Sequence, residues 1–413
     1  MHKNHTPISL GLFAFPIVLF VSSTANAEFV DDSTGTLSFR NFFLSRDFRS
    51  SDAPQSRRQE WAQGIMFQAK SGYTDGPIGV GADLYATLGL KLDSSDAHAG
   101  TGLLPNSFGD SGPAEYTDIS GALKARISNS QLMVGGFQPK LPILWTSDVR
   151  LLPPLFNGVI FNSTDIDDLT LETGRLSSVN YKNSSANHDK FLTGNYSATS
   201  DRFDYGGMVY KANSELTVSA WTATLDNVYQ QYYAGATVIR PVGEWVMTAN
   251  IGYFKSTDDG LAAAGEIESQ LLTSYIIVNR GGHALRIGYQ YNSGDSAFPY
   301  LQDTDPFVAN GVQILDFTRT QERSRQIRYD YDFAALGAPG LIFFARYARG
   351  DGYQYAGREA NEWERDLDIS YVVQSGPLKN FAIRWRNASV RSESALGKLD
   401  ENRLILSYMI PFK

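Results

Sequence analysis

The sequence of 413 residues contains no cysteine, which excludes a disulfide framework, a thiolate zinc site and a cysteine nucleophile. Only 19% of its residues are charged, and the formal net charge of −8 lacks the basic excess that nucleic-acid binding requires. No HExxH pair, GxSxG elbow or P-loop is found. We therefore expect no enzymatic activity, no cofactor, no metal and no nucleic-acid partner. An outer-membrane hydrolase is the enzymatic alternative.

Long apolar runs are confined to the start of the chain. Lys3 precedes an apolar stretch at residues 8–21, and Ala25-Asn26-Ala27 forms an A-x-A cleavage site, so residues 1–27 are predicted to be an export signal. A single membrane helix is the alternative, but the stretch is short and contains Pro16. Residues 28–413 are then one exported domain, which can cross a membrane only with strands.

Apolar and polar residues alternate through this whole domain. Residues 78–92 alternate without a break, which fits a strand and not a helix of period 3.6. A soluble β-sandwich would also alternate. A transmembrane barrel is favoured because the strands are about ten residues long and because Tyr, Phe and Trp concentrate at the ends of the apolar faces. A final alternating segment could close the barrel against the first strand. The alternating segments include residues 245–253, 285–291, 327–333, 367–373, 381–385 and 404–412.

The connections between these segments differ in length. Residues 334–340 and 374–380 are short and rich in glycine and proline, which predicts tight turns. Residues 349–365 form a long polar stretch between them, which we interpret as a loop. Short turns at one end and long loops at the other are typical of outer-membrane barrels. The length of the domain accommodates about 18 antiparallel strands.

Several motifs occur in order along almost the whole exported domain. They include Glu60-Trp61-Ala62-Gln63-Gly64, Gly100-Thr101-Gly102-Leu103-Leu104-Pro105, Asp148-Val149-Arg150-Leu151-Leu152-Pro153, Glu362-Trp363-Glu364-Arg365-Asp366 and Arg384-Trp385-Arg386-Asn387. In these motifs the chain resembles the OprD family of substrate-selective porins of Gram-negative bacteria. This resemblance implies a monomeric 18-stranded barrel that is narrowed by an inward-folded third loop, the constriction loop, and by a seventh loop. It also implies a row of basic side chains in the lumen that guides carboxylate solutes.

Five arginines on polar strand faces are the candidates for this basic row. A guanidinium can hold a carboxylate through two parallel hydrogen bonds, and a series of such sites could pass an anion along the lumen. The alternative is that these arginines pair with lumen acids and only brace the wall. The five residues are Arg384, Arg386, Arg403, Arg328 and Arg346.

Residues 138–172 make a connection of thirty-odd residues, which is too long for a simple turn, so we expect a functional loop. The resemblance implies that this segment is the constriction loop. The segment is acidic, and we expect it to face the basic row and create a transverse field across the passage. The candidate residues of this loop are Arg150, Asp148, Asp165, Asp167 and Asp168, and Arg150 is the one that we expect to face the pore. For Arg150, a salt bridge to a nearby loop acid is an equal alternative. Residues 292–322 are the candidate seventh loop. We favour the solvated outer surface for its acids, and the alternative is that they line the passage.

The combined prediction is a passive outer-membrane channel for small carboxylates such as amino acids and aromatic or aliphatic acids. A weakly selective diffusion porin and a plugged structural or adhesive barrel are the alternatives. The expected partners are outer-membrane lipid and lipopolysaccharide, the carboxylate solutes, and the barrel-assembly machinery during biogenesis.

Overall fold

A computed structural model describes residues 27–51, 53–186 and 188–413, and its main feature is a sheet of 18 antiparallel strands. The predicted signal lies outside these residues, apart from Ala27. The strands are β1 (Thr34–Phe48), β2 (Arg57–Lys70), β3 (Gly79–Asp93), β4 (Glu115–Ile127), β5 (Ser130–Phe137), β6 (Leu155–Ile166), β7 (Leu169–Asn180), β8 (Phe203–Lys211), β9 (Leu216–Leu225), β10 (Tyr229–Val242), β11 (Trp245–Asp258), β12 (Glu268–Arg280), β13 (His283–Gly294), β14 (Arg323–Asp332), β15 (Leu341–Tyr355), β16 (Arg358–Val372), β17 (Ala382–Ser392) and β18 (Lys398–Phe412).

The sheet closes on itself. Each strand pairs with the next along the chain, and β18 pairs with β1 from Gly35 opposite Phe412 to Phe48 opposite Leu399. Closure satisfies the backbone hydrogen bonds of every strand, which a lipid environment requires. The prediction of an antiparallel barrel of about 18 strands is therefore confirmed.

Little else in the described chain is regular. A short helix (Ala27–Asp31) precedes β1, a 3-10 turn (Phe333–Leu336) follows β14, and two small hairpins lie in the loops, one from Lys140–Leu141 with Leu144–Trp145 and one from Phe191–Leu192 with Thr199–Ser200. None of the helices in the described residues has the length and apolar character needed to span a membrane.

The two faces of the wall differ as the alternation predicts. Large apolar side chains such as Leu123, Ile251 and Ile287 are exposed on the outside, at 69%, 53% and 59% of their full surface. Their sequence neighbours point inward; Lys124, for example, is buried and pairs with Asp83. An apolar outer belt with a polar interior is the arrangement that lets a barrel contact lipid and enclose water.

Connections at the end of the barrel where β1 begins and β18 ends are short, whereas several at the other end are long. Residues 94–114, 138–154, 181–202 and 295–322 form the long loops. The interpretation of residues 349–365 as a loop is wrong, because β15 and β16 continue to a two-residue turn at Ala356–Gly357. Polar residues lie on both faces of this hairpin, with Glu362 and Glu364 buried inside and Arg349 and Glu359 exposed, so polarity there does not mark a strand end.

Three long loops fold into the lumen and pair with one another. Residues 295–322, which we call loop seven, bridge Thr304 to Thr146 of the loop at 138–154, and Leu301 to Thr193 of the loop at 181–202. Apolar side chains from these loops pack against β4–β12 and form the largest core of the molecule. Its fully buried aromatic members include Tyr229, Phe156, Phe191, Phe203, Phe254 and Phe298.

Candidate solute-binding site in the barrel lumen

Arginines occupy facing positions on neighbouring strands along the wall from β13 to β18. Arg328 lies opposite both Arg286 and Arg346, and Arg386 lies opposite Arg403. Like charges in facing positions destabilise a sheet unless counter-charges are near. The strands supply these counter-charges from the same inward face.

Each of the five predicted arginines forms an ion pair with a lumen acid. Arg328 binds Asp330 in its own strand, with a shortest contact of 2.5 Å, and Arg346 binds Asp366 of β16. Arg384 and Arg386 both bind Asp368, at 2.8 and 2.9 Å. The remaining pair joins Arg403 to Glu401. All five arginines therefore pair with lumen acids, as the alternative in which they brace the wall requires.

Arg403 has a purely structural environment. Its side chain is completely buried, and its Nε donates to Glu401 at 2.6 Å, while Arg46 binds the same carboxylate from β1. The Arg403 guanidinium also donates to the backbone carbonyls of Val149 and Gln313 at 3.4 and 3.3 Å. It thereby connects the constriction loop and loop seven to the wall, and offers no surface to a passing solute.

Arg384 and Arg386 line open space instead. The Arg384 side chain is 43% exposed and the Arg386 side chain 12%. With Arg40, Asp148 and Arg150 they border a cavity of about 390 Å³, which we call the arginine cavity. Four arginines against two carboxylates, counting Asp368, leave an excess of positive charge around this space.

Arg150 is the one predicted loop residue that reaches the cavity as a cation. Its Nε is buried and makes no hydrogen bond, and its Nη1 donates only to the Val149 carbonyl, at 3.2 Å. Burial, and secondarily the charge of Arg403, lower the pKa of Arg150 to about 9, which leaves it cationic at neutral pH. In the part of the chain that the structure describes, Arg150 makes no salt bridge, contrary to the alternative of a loop ion pair.

Arg40 is a member of the site that the sequence did not reveal. Its guanidinium donates two hydrogen bonds, of 2.7 and 3.1 Å, to the Asp148 carboxylate. It also donates to the carbonyl of Arg150 at 2.7 Å. Around it the apolar residues Phe42 and Phe43 fall on both strand faces, so alternation gives no signal there. Arg286 was also missed, although it lies on the polar face of a cleanly alternating segment.

The constriction loop is shorter than predicted. It spans residues 138–154, since β6 and β7 occupy most of the remainder of the predicted segment. The placement of Asp165, Asp167 and Asp168 in this loop is wrong. They lie at the hairpin between β6 and β7, at the opposite end of the barrel, where Asp168 adopts the left-handed backbone (φ 60°) of a tight turn.

The expected transverse field changes accordingly. The only predicted loop acid at the cavity is Asp148, and Arg40 binds both of its oxygens. Because the loop contributes the cation Arg150, positive charge faces the cavity from the loop as well as from the wall. The prediction of an acidic loop opposite a basic row is therefore wrong.

Loop seven has nearly the predicted boundaries, but its acids are not all on the surface. Asp303 is 6% exposed and pairs with Lys182, whereas Asp295 is exposed. Burial raises the pKa of Asp316 to about 6, although a hydrogen bond from the Tyr300 hydroxyl (3.0 Å) opposes the shift. The Asp303–Lys182 pair connects loop seven to the loop at 181–202, whereas burial makes the folded loop favour the protonated form of Asp316.

Arg328 and Arg346 do not border the arginine cavity. Arg328 lies over the ring of Phe344 at 4.0 Å, and the Arg346 side chain is 9% exposed beside Asp366. They continue the charged wall beyond the cavity, and Arg286 extends it by one more strand, stacked on Tyr275 at 4.1 Å.

Comparison with known proteins agrees with this architecture. The family model described as outer membrane porin, OprD family, matches residues 27–412. The chain belongs to the OprD family of outer-membrane porins. It is 38% identical to the porin-like protein GalP of Pseudomonas putida over 92% of each chain. Among solved structures it is similar to OccK9 (OpdG) of Pseudomonas aeruginosa, with a TM-score of 0.91 and 44% identity over 93% of this chain and 100% of that one.

A third relative was crystallised with a small molecule. OpdK of Pseudomonas aeruginosa with vanillate shares 36% identity and a TM-score of 0.88, over 93% of this chain and 100% of the other. OprD-family porins are channels of the bacterial outer membrane and not enzymes. The predicted family, fold, localisation and absence of enzymatic activity are thus confirmed, and the protein is an outer-membrane channel for small solutes.

Proposed function

We propose that this porin passively conducts small carboxylate solutes and that Arg384, Arg386 and Arg150 receive the carboxylate. The supporting observation is that these three cations border one cavity with an excess of positive charge. Two guanidinium groups carry more N–H donors than the two oxygens of Asp368 can accept, so donors remain for a solute. A solute carboxylate can therefore exchange water for charge-assisted hydrogen bonds.

The strength of these contacts suits transport. Unit charges 4 Å apart attract by about 4 kcal/mol at an effective dielectric constant of 20, before desolvation is subtracted. Asp368 and Asp148 reduce this attraction further. The site then binds anions but releases them, which selective conduction requires. The relative that was crystallised with vanillate, a carboxylate, supports the same class of solute for this chain.

Replacing both wall arginines tests the proposal. In the Arg384→Ala, Arg386→Ala double variant we expect current block by benzoate to weaken about 10- to 100-fold, which corresponds to the net loss of one charged hydrogen bond of about 1.5–3 kcal/mol. The reversal potential under a salt gradient should shift toward cations. Arg175→Ala is the control, since Arg175 faces away from the lumen and is 65% exposed. An unchanged reversal potential in the double variant would reject the assignment, and a wild type without single-channel steps would indicate a plugged barrel.

We also propose that residues 1–27 are removed on export, leaving a barrel domain of residues 28–413 that works as a monomer. The barrel-assembly machinery would insert it, and lipopolysaccharide would contact the exposed apolar belt. Sequencing the amino terminus of the protein from outer membranes should give Glu28 first. A terminus that still includes Lys3 would support the alternative of a membrane helix.

A further inference from the structure

The ion pair between Arg40 and Asp148 joins the wall to the constriction loop. Arg40 lies on β1, and besides holding Asp148 it donates to the carbonyls of Arg150 and Leu151, at 2.7 and 3.3 Å. The loop approaches the wall closely here, because Gly64 leaves room: a Cβ on Gly64 would lie 3.1 Å from the Leu151 carbonyl oxygen. Arg40 and Asp148 therefore bind each other and hold the constriction loop against the wall. We call this pair the strut.

The strut stands between two cavities. Arg40, Asp148 and Ser407 border both of them. One is the arginine cavity, against β16–β18. The other has a volume of about 230 Å³ and lies mainly against β1–β3; we call it the neutral cavity. A solute that enters the arginine cavity from the neutral cavity must pass beside the strut.

The neutral cavity has a different chemistry. Apart from the two strut residues, none of the side chains that border it is charged. Hydroxyl and amide groups from Gln68, Tyr85 and Gln138 alternate with the thioethers of Met66 and Met409. Gln68 and Tyr85 lie opposite each other on β2 and β3 and are only partly buried, so both have donor and acceptor capacity for a solute group. The flexible methionines can adapt to an apolar frame.

We propose that the neutral cavity is a second solute subsite, which receives the uncharged, hydrogen-bonding end of a carboxylate solute. This inference depends on the proposed function, since the carboxylate itself is assigned to the arginine cavity. The preferred solutes are then monocarboxylates with a hydroxyl or amide group at the far end of an apolar frame. A second carboxylate at that end would meet no cation other than Arg40, which is already paired. A distal ammonium would meet only Asp148, which is paired as well.

A matched pair of solutes tests this subsite. In the wild-type channel we expect 4-hydroxybenzoate to block the current about fivefold more tightly than benzoate, which corresponds to one neutral hydrogen bond. In the Tyr85→Phe, Gln68→Leu variant the affinity for 4-hydroxybenzoate should fall to that for benzoate, and the affinity for benzoate should stay the same. Gln138→Leu provides a second variant on another element if the first assembles poorly. Tyr371→Phe, on the outer surface, is the matched control and should keep the fivefold ratio.

The same pair of solutes separates the two proposals. The Arg384→Ala, Arg386→Ala variant should weaken both solutes by the same factor and preserve their ratio. If neither solute blocks the wild-type channel, the proposed function fails and the subsite fails with it. If both block equally well in the wild type, and loss of Tyr85 and Gln68 changes neither affinity, the subsite is refuted while the carboxylate site stands.

Discussion

The two sides of the lumen differ in the residues that line them and in the roles of those residues. Along β4–β12 aromatic side chains of the strands pack with residues of the inward-folded loops in an apolar core that fills the interior. Along β13–β18 and β1 the wall carries arginines that are paired with acids, and open cavities remain beside it. The first side, which we call the aromatic half, holds the inward-folded loops in position. The second, the arginine half, presents charge in the space that is left.

Loop seven connects the two halves. Phe298 and Leu301 belong to the aromatic core, whereas Gln313 donates to Glu401 on the opposite wall at 3.0 Å. Leu315 packs there as well, in a small core of its own. The width of the passage therefore depends on both halves, and variants in each should have distinct effects.

The largest effect is expected from the buried ion pair in the arginine half. Glu401→Leu leaves Arg403 fully buried without its carboxylate, which should lower the free energy of unfolding by about 3–5 kcal/mol. Urea unfolding in detergent, followed by tryptophan fluorescence, measures this change. Asp204→Asn, which breaks an exposed pair with Arg175, should cost less than about 1 kcal/mol. Equal losses in the two variants would mean that burial of the pair has no special role.

A somewhat smaller effect is expected in the aromatic half. Phe298→Ala removes a side chain that is 2% exposed and contacts Phe254 edge-on at 5.0 Å between ring centres. The substitution should destabilise the packing of loop seven by about 3 kcal/mol, and the effect should be local to that loop. Limited proteolysis of the folded barrel should then cut residues 295–322 faster. Phe108→Ala, at a 55% exposed position in the loop at 94–114, should leave the cleavage rate unchanged.

The pH dependence of loop seven should reflect Asp316. Burial raises its pKa from an ordinary value of 3.8 to about 6, so the folded loop favours the protonated acid. Stability from this group is complete below pH 3.8 and is lost as the pH rises through 6. Local opening should therefore become roughly tenfold more frequent between pH 5 and pH 7.5. Hydrogen exchange, corrected for the intrinsic rate, measures it, and Asp316→Asn should abolish the dependence.

The smallest expected effect concerns the acid that Arg384 and Arg386 share. Asp368→Asn removes a charge that competes with the solute, so benzoate should block the current about fivefold more tightly, a change of about 1 kcal/mol. Asp330→Asn should alter block less, because its partner Arg328 does not border the arginine cavity. Weaker block in the Asp368 variant would show that this carboxylate positions the arginines more than it screens them.

The barrel was predictable because alternation is a local property of each strand, with a period of two. Loop boundaries were not, since the same polar residues occur in lumen-facing strands and in loops. Asp167 and Asp168 illustrate the difficulty: acidic residues suit a tight turn as well as a constriction. Nothing in the sequence marks which end of the barrel a connection occupies once the strand count is uncertain.

The aromatic half was also hidden. Phe254 and Phe298 have the residue type expected at the membrane interface, but both are buried in the lumen, and only the inward folding of loop seven brings them together. The arginine row was easier, because its members lie on the polar faces of alternating strands. Their pairing with acids depends on cross-strand register, as in Arg386 opposite Asp368, and register requires the whole sheet.

A crystal structure with 4-bromobenzoate bound most directly tests whether the arginine half binds the solute. The carboxylate should lie within hydrogen-bonding distance of the Arg384 or Arg386 guanidinium, and the anomalous signal of bromine should place the far end of the solute in the passage beside Arg40. Density for the solute against the aromatic half, with its carboxylate away from these arginines, would contradict the assignment.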